Sequence, residues 1–202
     1  LNIKRIFTKP KSLGSTRIIK SSENHNNVIK RDINLNRTVI RKDKVSLNWG
    51  KVDMSKVIYT KVKKIFNGET IYIIGGGPSL KEFDWNKLIG KKVIAINKAI
   101  QVYPNADIIY WTDGRFYKWH KYEIDDLKGI KYTIQPTPNQ VNVNVLKRGK
   151  RYGLEDNPSL LAHGDNSGYA AINLAYLLGA KKIVLLGYDM GNLGGESHFH
   201  DG

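Results

Sequence analysis

The sequence predicts an α/β fold: a largely parallel sheet with helices on both faces, preceded by a basic N-terminal arm. Short apolar, β-branched runs recur at 71–74, 92–96, 107–111, 131–135 and 182–186 and alternate with helical or irregular segments, the pattern of strands buried on both faces. Most of these runs close in glycine or a small polar residue: Gly75, Gly76 and Gly77, then Asn97, Asp113 and Asp189. Charge is divided unevenly. Residues 1–66 hold 17 Lys/Arg against 4 Asp/Glu, whereas 67–202 hold 16 against 14.

Taken in order, residues 1–45 are rich in Ser, Asn, Lys and Arg without sustained periodicity, and are expected to be extended or disordered. In 54–66, Val57, Ile58, Val62, Ile65 and Phe66 have the spacing of a short amphipathic helix. Asn67-Gly68 marks a turn. Residues 1–66 are therefore taken as the arm and 67–202 as the domain. The first strand, 71–74, runs into three glycines and Pro78, whose fixed φ and missing N–H suit the start of a helix over 80–88. The second strand, 92–96, ends at Asn97. The third ends at Thr112-Asp113-Gly114, and the fourth is closed by Pro136 and Pro138. Residues 139–166 read as an irregular excursion. Ser167-Gly168-Tyr169 opens a helix over 170–178, Gly179 closes it as a C′ glycine, and the last strand, 182–186, ends at Gly187-Tyr188-Asp189. Parallel sheets of this Rossmann-like kind bind ligands at the carboxyl ends of their strands.

Composition limits the alternatives. The chain has 202 residues, of which 41% are hydrophobic, and no run approaches the roughly 20 apolar residues of a membrane span. With no cysteine, disulfides and thiolate metal sites are excluded, in keeping with a cytoplasmic location. No secretory signal is visible. A start at Leu1 and an end at Gly202, directly after a His-rich stretch, read as a fragment. The basic arm offers a surface for nucleic acid or an anionic membrane, or is a solvated segment.

The glycine turn with Ser79 predicts a phosphate cradle at a strand end. It is neither a Walker A loop nor a dinucleotide fingerprint, since no Gly-Lys-Ser/Thr follows and Leu80 stands where a third glycine would be. The Ser79 hydroxyl can equally be a cap. Asn97 can meet a base or ribose, or only make a turn. Asp113 can hold a divalent cation with a diphosphate, bind a ribose hydroxyl, or start a turn. Ser167 and Gly168 offer a second anion site or a plain helix start, and Asp189 a hydroxyl or metal partner or a turn closure. His198 and His200 share a direction in an extended segment, but no third ligand is evident, so no metal site is assigned. His198, after the loop 191–195, is a candidate general base arriving with a lid; His163 is a weaker one. Phe116, Tyr117, Trp111 and Trp119 read as packing residues. A Gly-x-Ser-x-Gly nucleophile turn is absent.

The ordered motifs Ile-Ile-Gly-Gly-Gly-Pro-Ser-Leu-Lys (73–81), Val-Ile-Ala-Ile-Asn (93–97) and Asn-Ser-Gly-Tyr followed by Ile-Val-Leu-Leu-Gly-Tyr-Asp (166–189) resemble bacterial sialyltransferases. They are also similar to the archaeal 6-hydroxymethylpterin pyrophosphokinase-like domain and to the motility-associated Maf proteins, a domain type that phages also encode. The resemblance covers about residues 69–200. It implies a nucleotide-dependent group transferase, with a glycosyltransferase using a nucleotide-sugar on a small-molecule or glycan acceptor as the first reading. A phage-encoded member would work in the host cytoplasm. Gly75, Gly76, Gly77, Ser79, Asn97, Ser167 and Gly168 would contact the nucleotide. His198 matches the His of the Maf-like branch, and with Asp189 is the expected catalytic pair. In the sialyltransferases the base lies on a segment beyond this sequence. A CMP-linked donor requires no metal, whereas the diphosphokinase alternative would use Mg²⁺ at Asp113. A non-catalytic nucleotide- or nucleic-acid-binding protein is the alternative outside enzymology.

Overall fold

A computed structural model describes residues 2–6 and 49–189. Its centre is a seven-stranded, wholly parallel sheet: β1 (Asn2–Ile6), β2 (Thr70–Ile74), β3 (Lys92–Ile96), β4 (Ile108–Trp111), β5 (Ile130–Thr133), β6 (Val143–Val145) and, last in sequence, β9 (Lys182–Leu186). The spatial order is β1-β9-β2-β3-β4-β5-β6. The chain steps outward from β2 to β6 and then crosses back to lay β9 on the other side of β2. A two-stranded ribbon, β7 (Lys147–Arg148) with β8 (Leu160–Leu161), lies in the excursion between β6 and the last helix.

Period-2 alternation assigns the strands to two cores. In β3, Ile94 and Ile96 join Ile71, Ile73, Ile108, Tyr110, Ile183 and Leu185 on one face, under helix α3 (Ser167–Leu177). Val93 and Ala95 join Ile74, Ile109, Trp111, Val184 and Leu186 on the other, under α1 (Ala99–Val102) and α2 (Gly114–Asp126). Helices therefore cover both faces, as expected of an α/β Rossmann-like fold. Among the described residues no helix is long and apolar enough to cross a membrane.

Four expectations need correction. The predicted helix over 54–66 is a single 3₁₀ turn, Met54–Lys56, followed by extended chain. Thr60 and Val62 donate to the carbonyls of Val145 and Pro158 (both 2.8 Å), and Ile65 and Phe66 to that of Leu178 (3.1 and 2.9 Å). These tertiary bonds hold the β-branched stretch extended and bury Val62 and Phe66, while Ile58 is left 85% exposed. The predicted helix over 80–88 is two 3₁₀ turns, Pro78–Leu80 and Trp85–Leu88, because the Asp84 carboxylate caps a new start by accepting the Asn86 N–H (3.1 Å). Residues 114–126, assigned no element from sequence, form α2. Finally, residues 2–6 of the presumed arm are an edge strand, paired with β9 from Asn2↔Lys182 to Ile6↔Leu186. The remainder of the expected disordered stretch, 7–45, lies outside the described residues.

Candidate active site at the carboxyl ends of the strands

The sheet order fixes where a ligand site belongs. β2 and β9 are neighbours, and the chain runs outward from β2 to β6 on one side before returning to β9 on the other, so the carboxyl ends of this pair lie where the strand order reverses, the general ligand position of an open parallel sheet. The glycine turn (75–77) leaves β2 there, and Gly187, Tyr188 and Asp189 leave β9 beside it. Asn97, at the end of β3, is one strand spacing from β2.

The two turns are bonded to each other. Gly75 N–H donates to Leu186 O and Gly77 N–H to Gly187 O, both at 2.8 Å. The Asp189 carboxylate reaches across: Oδ2 accepts the Ser79 N–H (2.8 Å) and Oδ1 the Ser79 hydroxyl (2.6 Å). A Cβ on Gly77 would stand 2.7 Å from Asp189 Cγ and 2.7 Å from Gly187 O; one on Gly75 would stand 2.7 Å from Gly187 O. These glycines are thus explained by the close approach of two protein turns. The free amides expected of a phosphate cradle are, at Gly75, Gly77 and Ser79, engaged within the protein. Gly76 lies between them, half-buried.

The other predicted residues are largely local caps. Asn97 has φ +50°, donates its N–H to Tyr110 O (3.1 Å), and takes the αL conformation that Asn tolerates. Asp113 caps α2 through the Arg115 N–H (2.8 Å), and its carboxylate is gripped by the Arg115 guanidinium (Nη2–Oδ2 2.6 Å, Nε–Oδ2 2.9 Å). The Arg115 side-chain bonds hold the Asp113 carboxyl below its ordinary pKa. At α3 the cap is Asn166, whose Oδ1 accepts the N–H groups of Gly168 (2.7 Å) and Tyr169 (3.1 Å); Ser167 is the first helical residue. His163 is mostly buried, its Nδ1 accepting the Asp165 N–H at 3.1 Å. His198 and His200 lie outside the described residues.

A residue that sequence reasoning named only as part of a turn ties these parts together. The Tyr188 hydroxyl donates to Gly168 O (3.2 Å), and the ring fills the space that a side chain at Gly168 would need. Burial pushes the Tyr188 phenol up, so it stays a neutral donor. Tyr188 thereby locks the start of α3 to the end of β9. Tyr110, buried at the end of β4, is pushed up in the same way, opposed by its hydrogen bond to Thr112 (3.0 Å) and by the nearby charge of Arg148.

The residues do not fit a shared Mg²⁺ site. Asp113 and Asp189 belong to strands three spacings apart, about 14 Å, and each is already bonded, to Arg115 and Ser79 respectively. Among the described residues no group of three His, Asp or Glu side chains is placed to hold a metal ion. Comparison with protein-family models, curated proteins and solved structures gave no match. The family resemblance rests on the order of the motifs alone.

Proposed function

We propose that the chain is a nucleotide-dependent group transferase, with glycosyl transfer from a nucleotide-sugar as the preferred chemistry. The observation that carries this reading is the convergence of Gly76, Asn97 and Asp189, each following the carboxyl end of a parallel strand, with the start of α3 at Ser167, which Tyr188 ties to the end of β9. It combines the general ligand position of parallel sheets with polar groups from four separate segments. In this reading Asn97 meets the nucleoside and the start of α3 faces the donor phosphate. His198 takes the proton of the acceptor hydroxyl as the bond from the anomeric carbon to the leaving phosphate breaks. Asp189, bonded to Ser79, holds the end of β9 against the glycine turn. The engagement of Asp113 by Arg115 weighs against the Mg²⁺-dependent diphosphokinase alternative.

A thermal-shift panel tests the reading. CMP, CDP, UDP, GDP and ATP are each added with and without Mg²⁺. Stabilisation by a cytidine nucleotide without Mg²⁺ is expected, since ligand at 100 times its Kd adds about 2.7 kcal/mol. Stabilisation by ATP only with Mg²⁺ would transfer support to the diphosphokinase alternative, and no shift with any nucleotide would end the reading.

A further inference from the structure

The domain's surplus of positive charge is concentrated in one place. Of the sixteen Lys and Arg in residues 67–202, four are Lys147, Arg148, Lys150 and Arg151. Without them the same stretch would have twelve cations against fourteen carboxylates. All four are exposed, yet their backbone is fixed. Leu146, fully buried, donates its N–H to Thr133 O (2.8 Å) at the end of β5, and Gly149 donates to Leu161 O (2.9 Å). His163 and Gly164 donate to the carbonyls of Lys150 (3.2 Å) and Arg151 (3.0 Å). The chain then passes through Asp165 directly into Asn166, the cap of α3. The cationic segment is therefore a rigid ribbon at the carboxyl end of the sheet, tied to the same helix start that Tyr188 locks to β9.

Two carboxylates lie against it. Asp165 pairs with Arg151 (2.7 Å), and Glu155 is buried, with Oε2 about where a side chain at Gly149 would have to go (3.0 Å from that Cβ position). Lys150 Nζ donates to Leu154 O (3.0 Å). Lys147 and Arg148 have no ion pair or side-chain hydrogen bond among the described residues. The bond from Leu146 N–H to Thr133 O fixes the start of the ribbon at the carboxyl end of β5, three strand spacings from β2, about 14 Å.

We propose that this ribbon, through Arg148 and Lys147 with Lys150 beside them, is the anion-binding element of the strand-end site and holds a phosphate ester of the bound ligand. The proposal rests on the nucleotide reading above for the identity of the ligand. It follows from a division of labour: the amides of Gly75, Gly77 and Ser79 are bonded to Leu186, Gly187 and Asp189, so the countercharge for a phosphate has to come from elsewhere. A guanidinium in this position grips phosphate with two parallel N–H donors, and lysines add point charge. The phosphate can belong to the nucleotide or to a phosphorylated acceptor.

Calorimetric titration of the full chain with CMP, cytidine, inorganic pyrophosphate, glycerol 3-phosphate and a DNA oligonucleotide tests this, comparing wild type with a Lys147→Gln/Arg148→Gln double variant. Both positions are exposed, so the variant should melt as the wild type does. CMP should bind the variant about tenfold or more weakly, with a flatter salt dependence, while cytidine should be unaffected. Arg148→Lys should recover part of the loss. Equal binding of CMP and pyrophosphate by variant and wild type would overturn the proposal. So would failure of the wild type to bind any phosphate compound, or ribbon-dependent binding of a DNA oligonucleotide alone. Ribbon-dependent binding of pyrophosphate or glycerol 3-phosphate without CMP binding would uphold the ribbon and overturn the nucleotide reading.

Discussion

The glycine turn after β2 and the basic ribbon after β6 stand at the same end of the sheet and treat their polar groups in opposite ways. The turn closes on itself: its amides meet Leu186 and Gly187, and Asp189 occupies Ser79 from both the N–H and the hydroxyl. The ribbon is bonded through its backbone to Leu161, His163 and Gly164 but leaves the charges of Lys147 and Arg148 facing solvent. A glycine-rich motif can therefore be a packing device while exposed positive charge at the same end of the sheet lies on a segment with no recognisable motif.

Four changes would break or sharpen that contrast, from the largest effect to the smallest. Gly77→Val drives a branched side chain into Asp189 and Gly187 O and should cost about 3 kcal/mol, read by denaturant unfolding. A near-neutral result would mean the turns are not in close contact. Asn173 is fully buried and serves the ribbon's base, accepting from Ala162 N–H (2.7 Å) and donating to Glu155 O (3.0 Å). Asn173→Leu leaves both backbone groups unpaired and should cost about 2–3 kcal/mol, again by unfolding. Asp189→Asn weakens the charge-assisted bonds from Ser79 and should cost about 1–2 kcal/mol; unchanged stability would deny that the carboxylate latches the turn.

The smallest effect is at Asp113. Asn caps helices as well as Asp does, so Asp113→Asn removes only the exposed Arg115 pair, below about 1 kcal/mol. The folded state lowers this carboxyl's pKa, first through the Arg115 hydrogen bond. Its contribution is therefore present at neutral pH and declines as pH falls below about 4, toward the lower folded value. Melting curves from pH 7 to acid should converge for wild type and Asp113→Asn; a gap that persists at low pH would contradict the assignment.

Much of the sheet was legible because buried parallel strands are short, apolar and bounded by turn residues. β3 and β9 have the predicted bounds, 92–96 and 182–186, and Gly179, at φ +100°, ends the α3 segment as its position foretold. What escaped depends on tertiary partners. The stretch 57–66 is extended because distant carbonyls accept its N–H groups, which no local periodicity reveals. α2 mixes buried Phe116, Tyr117 and Ile124 with a 75% exposed Trp119, and its aromatic-rich sequence has low helix propensity. β6 is only three residues long. At the site, Asn97, Asp113, Ser167 and Asp189 stand at strand or helix ends as expected, but their partners were not legible: Tyr110 O for the Asn97 N–H, Arg115 for Asp113, Asn166 as the cap before Ser167, and Ser79 for Asp189. The ribbon escaped because a near-zero domain charge conceals a local run of four cations.

The measurement that bears most directly on this account is the affinity of CMP for wild type and for the Lys147→Gln/Arg148→Gln variant, in the absence of Mg²⁺. Metal-independent binding by the wild type, weakened about tenfold or more in the variant, is the predicted result. Equal affinity in the two proteins, or no binding by either, would contradict it.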